Sequence, residues 1–219
     1  TPLLRTFARY RLNTLLLDAA ASQRATLARL LHRAKDTTFG RDHEFSGIAD
    51  VATFQRHVPL RSFEEFWSDY WSAVFPNLVD VSWPGRIPYF ALTSGTTTGR
   101  SKFIPVSRAM VRSNARAAID LYAFHLRAAP GSRILSGKSF MLGGSTRLAE
   151  EASGVRSGDL SGIMAAEVPW YARSRYFPPP DLALTEDWEE KVALLVCQSR
   201  SEPIRAIAGT TSWLLLFLD

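Results

Sequence analysis

Ten consecutive residues, Thr93-Ser94-Gly95-Thr96-Thr97-Thr98-Gly99-Arg100-Ser101-Lys102, bring together two glycines, a run of hydroxyl side chains and a closing lysine. Glycine lets a backbone turn its N–H groups toward an anion, hydroxyls add movable donors, and lysine supplies a compact positive charge. That combination is the chemistry of a phosphate cradle. By composition the same residues read equally as a Ser/Thr-rich surface turn, because such side chains hydrogen-bond their own backbone. The spacing rules out two familiar nucleotide loops. A Walker A loop needs glycine and lysine adjacent, whereas Gly99 is followed by Arg100 and Ser101 before Lys102. A dinucleotide fingerprint needs a second glycine two positions after the first, whereas Gly99 comes four after Gly95.

The flanking chain supplies the elements that would hold the loop. Leu3 to Ala34 lacks glycine and repeats apolar residues at spacings of three and four, which predicts two helices or one long bent helix. Lys35 to Arg41 carries helix-stop and turn residues. Asp50 or Thr53 can cap a short helix closed by Pro59, and Ser62 with Glu65 forms a capping box for a helix through Trp71. After the Trp83-Pro84-Gly85 turn, Ile87 to Leu92 reads as a strand running straight into the loop. Phe103 to Val106 is a brief extended piece, and Ser107 caps a helix to Ala128 that Pro130-Gly131 ends. Ile134-Leu135, Ser139 to Leu142 and Pro203 to Ala208 are strand candidates. Asp187 to Ser199 has an amphipathic helical pattern, and Gly209 to Ser212 turns into a further helix. Leu148 to Pro180, rich in Gly, Ser, Pro and aromatic residues, yields no clear assignment. The alternation predicts an α/β fold with some parallel sheet. It divides into a mainly helical segment over 1–82 and an α/β segment over 83–219 that carries the loop.

Order and context take the loop beyond an ordinary turn. Leu31-x-x-Ala34-x-Asp36-Thr37-x-Phe39-Gly40-Arg41, Phe54-x-x-x-Val58-Pro59-Leu60-Arg61, Tyr89-Phe90-Ala91-Leu92-Thr93-Ser94-Gly95-Thr96-Thr97 and Lys102-Phe103-Ile104-Pro105 follow one another along the chain. Together they resemble the auxin-responsive acyl-acid amido synthetases (Gretchen Hagen type), particularly the bacterial members, within the adenylate-forming superfamily. The resemblance runs from about Leu30 to the C-terminus and is weakest between Leu148 and Pro180. It implies part of the large adenylate-forming, luciferase-like domain. It also implies a two-step ligase in which ATP and a carboxylic acid give an acyl-adenylate and pyrophosphate, and an amine such as an amino acid then takes the acyl group. Thr93, Ser94, Gly95, Thr96, Thr97, Gly99 and Lys102 would then hold the nucleotide phosphates, with Lys102 the catalytic cation and Thr96 or Thr97 beside Mg²⁺. Asn114, on the following helix, would face either the nucleotide or acyl pocket, or else solvent or a helix neighbour. The family's Tyr-x-x-Ser-Glu-like segment and later ribose-binding aspartate do not occur here: Tyr171-Ala-Arg-Ser-Arg has the wrong residue in the acidic place. An incomplete, N-terminal part of the ligase, inactive alone, is therefore expected. The abrupt edges at Thr1 and Asp219 point the same way.

Composition narrows the remaining classes. A hydrophobic fraction of 46% with 21% charged residues fits a globular chain rather than a disordered tail or a membrane bundle. The formal charge of +5 comes from 22 arginines against four lysines, but those arginines are dispersed and nucleic acid is not an expected partner. Cys197 is the single cysteine, so neither an internal disulfide nor a Cys-based zinc site can form, and a cytoplasmic, membrane-free setting is expected. His32, His43, His57 and His125 lie too far apart for a local metal motif. Trp170, Tyr171, Tyr176 and Phe177 either line an acyl pocket or simply pack. The competing functions are an acyl-CoA synthetase of the same superfamily, and a non-catalytic domain whose hydroxyl-rich loop is only a turn.

Overall fold

The computed structural model describes Thr6, Arg9, Tyr10 and residues 18–93, 101–143, 147–185 and 187–218. Thr6, Arg9 and Tyr10 are helical. A second helix, α1 (Ala19–Ala34), begins where Asp18 turns extended and its carboxylate accepts the Ala21 N–H at 2.8 Å. The long helical run is therefore divided at Asp18. Thr37 is fully buried and interrupts the next segment: its hydroxyl donates to Ala34 O (2.7 Å) and accepts from Gly40 N–H (3.0 Å). The expected turn thus contains a short helix, α2 (Thr38–Asp42). Asp50, not Thr53, caps α3 (Val51–His57) by accepting the Thr53 N–H at 2.7 Å.

The Ser62 capping box is formed in both directions, with Glu65 N–H donating to Ser62 Oγ (3.2 Å) and Ser62 N–H donating to Glu65 Oε2 (2.6 Å). It opens α4 (Phe63–Phe66), which passes into a π-helical turn over Trp67–Trp71 and a 3₁₀ turn over Ser72–Val74. Removing a cap of this kind lowers stability by about 1 kcal/mol. Ser62→Ala is expected to show that loss as a lower urea midpoint at unchanged slope.

Seven strands form two sheets among the described residues. β1 (Tyr89–Leu92) pairs antiparallel with β2 (Phe103–Val106) and parallel with β5 (Val155–Gly158), which pairs antiparallel with β4 (Ala149–Ala152). The second sheet is wholly parallel, with β3 (Lys138–Leu142) between β6 (Tyr176–Phe177) and β7 (Ile204–Gly209). Helix α5 (Arg108–Ala128), capped by Ser107, joins the sheets: Val111 is buried against the first, and Tyr122 reaches Ser139 of β3 at 2.8 Å. The fold is α/β, as the alternation predicts. Gly85 supplies the left-handed φ of +81° that the turn before β1 requires.

One strand expectation fails. Ile134–Ser136 is a 3₁₀ turn, because Ser136 aims both its N–H (2.8 Å) and its hydroxyl (2.7 Å) at the Arg133 carbonyl. This local closure overrides the extended preference of Ile134. The stretch without clear sequence pattern holds the β4–β5 hairpin, α6 (Leu160–Ala166), a 3₁₀ turn over Trp170–Arg175, β6 and α7 (Pro180–Ala183). Asp187 caps α8 (Trp188–Ser199), and α9 (Thr211–Leu218) follows β7.

The period of two along β1 organises the first core. Phe90 faces Leu78, Ile87, Val155 and the partly buried aromatics Trp71, Phe75 and Phe103. Tyr89 and Ala91 face the other way, toward Val106, Val111 of α5 and Ile163 of α6. The helical segment therefore packs on one side of β1, and α5 with α6 on the other. Around the second sheet, Phe140, Leu142, Phe177, Leu182 and Leu195 form a separate cluster.

Candidate functional site

Ser94, Gly95, Thr96, Thr97 and Gly99 lie outside the described residues, and the structure bears on the candidate loop through its two ends. The antiparallel register Leu92↔Phe103 makes the loop the connection of a β-hairpin. Its base is closed twice. Thr93 N–H donates to Lys102 O at 3.2 Å, and Lys102 N–H donates to Thr93 Oγ1 at 3.2 Å. The Thr93 hydroxyl thus acts on the stem, and the backbone of Lys102 is held at the point where its side chain departs.

The Lys102 ammonium lies 2.6 Å from Glu64 Oε1 and 5.1 Å from the Phe63 ring centroid, both on α4. The hydrogen bond from Lys102 holds the Glu64 carboxyl below its ordinary range. An ammonium carries three N–H donors, so engaging one carboxylate does not exhaust it. Glu65 is engaged in the capping box, which leaves the neighbouring Glu64 carboxylate to the lysine. The Glu64–Lys102 contact spans 38 positions, and no local pattern encodes it.

Three strand ends meet beside the hairpin. β5 runs parallel to β1 with Ala91 opposite Gly158, so Thr93 and Asp159 leave the first sheet at the same edge. From Asp159 the chain enters α6, where Ile163 is fully buried. Gly143, at the end of β3, lies so near α6 that a Cβ there would sit 3.2 Å from Ser161 Oγ. In α/β folds the carboxyl ends of parallel strands are where ligands bind. Asn114 of α5 is half-buried, and its amide points to Met164 Sδ of α6 at 3.9 Å. The structure thus gives it a neighbouring helix as partner. Helix α6, invisible to sequence reading, is common to β1, β5, β3 and α5.

The far end of α6 is fixed by a partly buried polar network. Tyr89 OH donates to Glu167 Oε1 (2.5 Å) and accepts from Arg156 Nη2 (2.8 Å), while Arg108 Nη1 lies 3.7 Å from Glu167 Oε1. Burial, then the Glu167 carboxylate, pushes the Tyr89 phenol above its ordinary pKa. This ties β1, β5, α6 and the start of α5 together under the hairpin.

Other sequence candidates are dispersed. His43 bonds the Phe39 carbonyl (2.9 Å), His57 pairs with Glu44 (3.3 Å), and His125 bonds Ser132 (2.7 Å). No cluster of His, Cys, Asp and Glu suited to a metal occurs among the described residues. The aromatic set does not form one pocket wall: Phe177 is buried in the second-sheet core, whereas Trp170 is 81% exposed. No helix among the described residues is long and apolar enough to cross a membrane.

The pattern of the GH3 family N-terminal domain matches residues 8–211, starting earlier than the motifs alone suggest. No curated protein matches. A solved GH3.15 acyl acid amido synthetase superposes with a TM-score of 0.75 at 18% identity, covering 95% of this chain and 37% of that one. The structure of AtGH3.15 acyl acid amido synthetase in complex with 2,4-DB gives a TM-score of 0.78 at 18% identity, covering 100% of this chain and 38% of the other. Likeness at that identity speaks to fold. The chain spans little more than a third of either structure.

Proposed function

The chain belongs to the GH3 family, and from that premise we propose that it forms the phosphate-loop part of an ATP-dependent ligase joining a carboxylic acid to an amine such as an amino acid. The observation that carries this reading is the closed hairpin: a glycine- and hydroxyl-rich loop is presented at the edge where β1, β5 and β3 end, with Lys102 at its base.

The donor set suits a polyphosphate. Lys102 would hold the β and γ phosphates together with the hydroxyls of Ser94, Thr96 and Thr97 and the amides around Gly95 and Gly99. Thr93 would brace the stem, and Thr96 or Thr97 would lie beside the Mg²⁺ that accompanies the nucleotide. Bound ATP supplies the adenylyl group: a carboxylate oxygen attacks the α phosphorus and the bond to the bridging oxygen breaks, releasing pyrophosphate. The amine nitrogen then attacks the acyl carbon, the bond to AMP breaks, and a proton leaves the nitrogen. By fixing phosphates ahead of reaction, the loop would orient the α phosphorus for in-line attack. Asn114 and Met164 would take part through the α5–α6 contact, on the side away from the helical segment. Membership of an amido synthetase family favours the amine over coenzyme A as acceptor. The 2,4-DB complex of a similar structure supports a small-molecule substrate for such a ligase. The free, exposed Cys197 suits a cytoplasmic protein.

Acid-dependent exchange of labelled pyrophosphate into ATP tests this proposal in the full-length protein. Exchange that appears only when a carboxylic acid is added is the expected result. No exchange across a panel of aryl and alkyl acids would leave the adenylating reading without support.

A further inference from the structure

We propose that Glu64 is a positioning residue for Lys102, holding its ammonium where the loop can present it to nucleotide phosphates. This rests on the reading of Lys102 as the phosphate lysine.

A lysine side chain carries roughly 2 kcal/mol of rotamer entropy, part of which an unrestrained ammonium would lose on meeting its ligand. Lys102 is restrained before any ligand arrives. Its backbone is tied to Thr93 through both N–H and carbonyl, Glu64 Oε1 receives its ammonium at 2.6 Å, and the Phe63 ring lies 5.1 Å from that ammonium. The platform is itself anchored. Phe63 stacks on Trp67 with centroids 5.8 Å apart, and Phe66 stacks on Trp71 at 5.0 Å. Because Glu65 is committed to the capping box, the neighbouring Glu64 carboxylate is the one available to the lysine.

Glu64 is exposed, and ion pairs of that kind add little to stability. Its removal should therefore disturb the placement of Lys102 while leaving the fold intact. The opposite electrostatic effect sets the test, since a carboxylate beside an ammonium also offsets the charge that attracts phosphate. If placement dominates, deleting the side chain weakens ATP binding; if charge dominates, deletion tightens it.

The experiment is calorimetric titration of Mg–ATP into the full-length protein and its Glu64→Ala, Glu64→Gln and Lys102→Ala variants, with thermal melts of each. Glu64→Ala is expected to raise the ATP dissociation constant about tenfold, which is about 1.4 kcal/mol, with an unchanged melting temperature. Glu64→Gln, which still offers an acceptor oxygen, is expected to recover most of that loss. In exchange assays the same ordering should appear in the KM for ATP and not in the KM for the acid. Binding by Glu64→Ala as tight as, or tighter than, wild type would overturn the inference. So would failure of Glu64→Gln to recover affinity. If Lys102→Ala weakens ATP binding and Glu64→Ala does not, the role of Glu64 alone is wrong. If Lys102→Ala also binds ATP normally, the assignment of the loop fails with it.

Discussion

Lys102→Ala is expected to lower acid-dependent pyrophosphate exchange by about a hundredfold, the scale on which a preorganised donor to developing negative charge acts in enzymes. The loss should fall on the reaction and not on the fold. Lys102 joins the stem through its backbone N–H and carbonyl, which alanine retains. The severed side-chain contacts are an ion pair to an exposed glutamate and a ring contact with Phe63, both on one short helix. A melting temperature close to wild type alongside the activity loss would locate the effect in phosphate binding. Lys102→Arg should recover only part of the rate, because a planar fork on a longer reach does not reproduce a compact ammonium. Unchanged exchange in Lys102→Ala would remove the loop from the chemistry.

Phe90→Ala should produce the largest loss of stability, about 3–5 kcal/mol for a fully enclosed aromatic replaced by a methyl group. Phe90 has no measurable exposure, sits edge-on to Phe75 with centroids 5.0 Å apart, and lies 6.3 Å from Phe103 of the neighbouring strand. It is where the helical segment meets the sheet. Against a usual total of 5–15 kcal/mol, that loss would leave a marginal protein, measurable as a much lower urea midpoint. Met141→Ala, on an exposed position of β3, should change stability by no more than about 0.5 kcal/mol. A loss below about 1 kcal/mol for Phe90 would contradict the packing described.

What could be read from sequence was mainly local. Ser62 with Glu65, Ser107 and Asp50 announce helix starts because each cap acts within three residues of itself. The extended pieces on either side of the loop were legible too, from aromatic and β-branched residues. Their union as a hairpin, and the parallel partner β5, were not. β5 is four residues long and carries Arg156 and Gly158 among its apolar positions, so its pattern is too brief and too polar to register. Helix α6, seven residues with a glycine inside it, is equally too short to register. At the site, residue types spoke for the loop, but the Glu64–Lys102 pair and the Asn114–Met164 contact join distant segments. Such partners are chosen by packing, and no spacing rule reports them. Ile134 shows the converse, a β-branched residue overruled by one hydroxyl two positions on.

The double closure between Thr93 and Lys102 ties together the two ends of an eight-residue span at its stem. Lengthening that span by two residues would add only about 0.2 kcal/mol of loop-closure entropy, far below what a melting curve resolves. On the proposed reading of the loop, the same insertion would displace the phosphate donors assigned to that span. Screens for expression or heat resistance would therefore pass variants that turnover rejects.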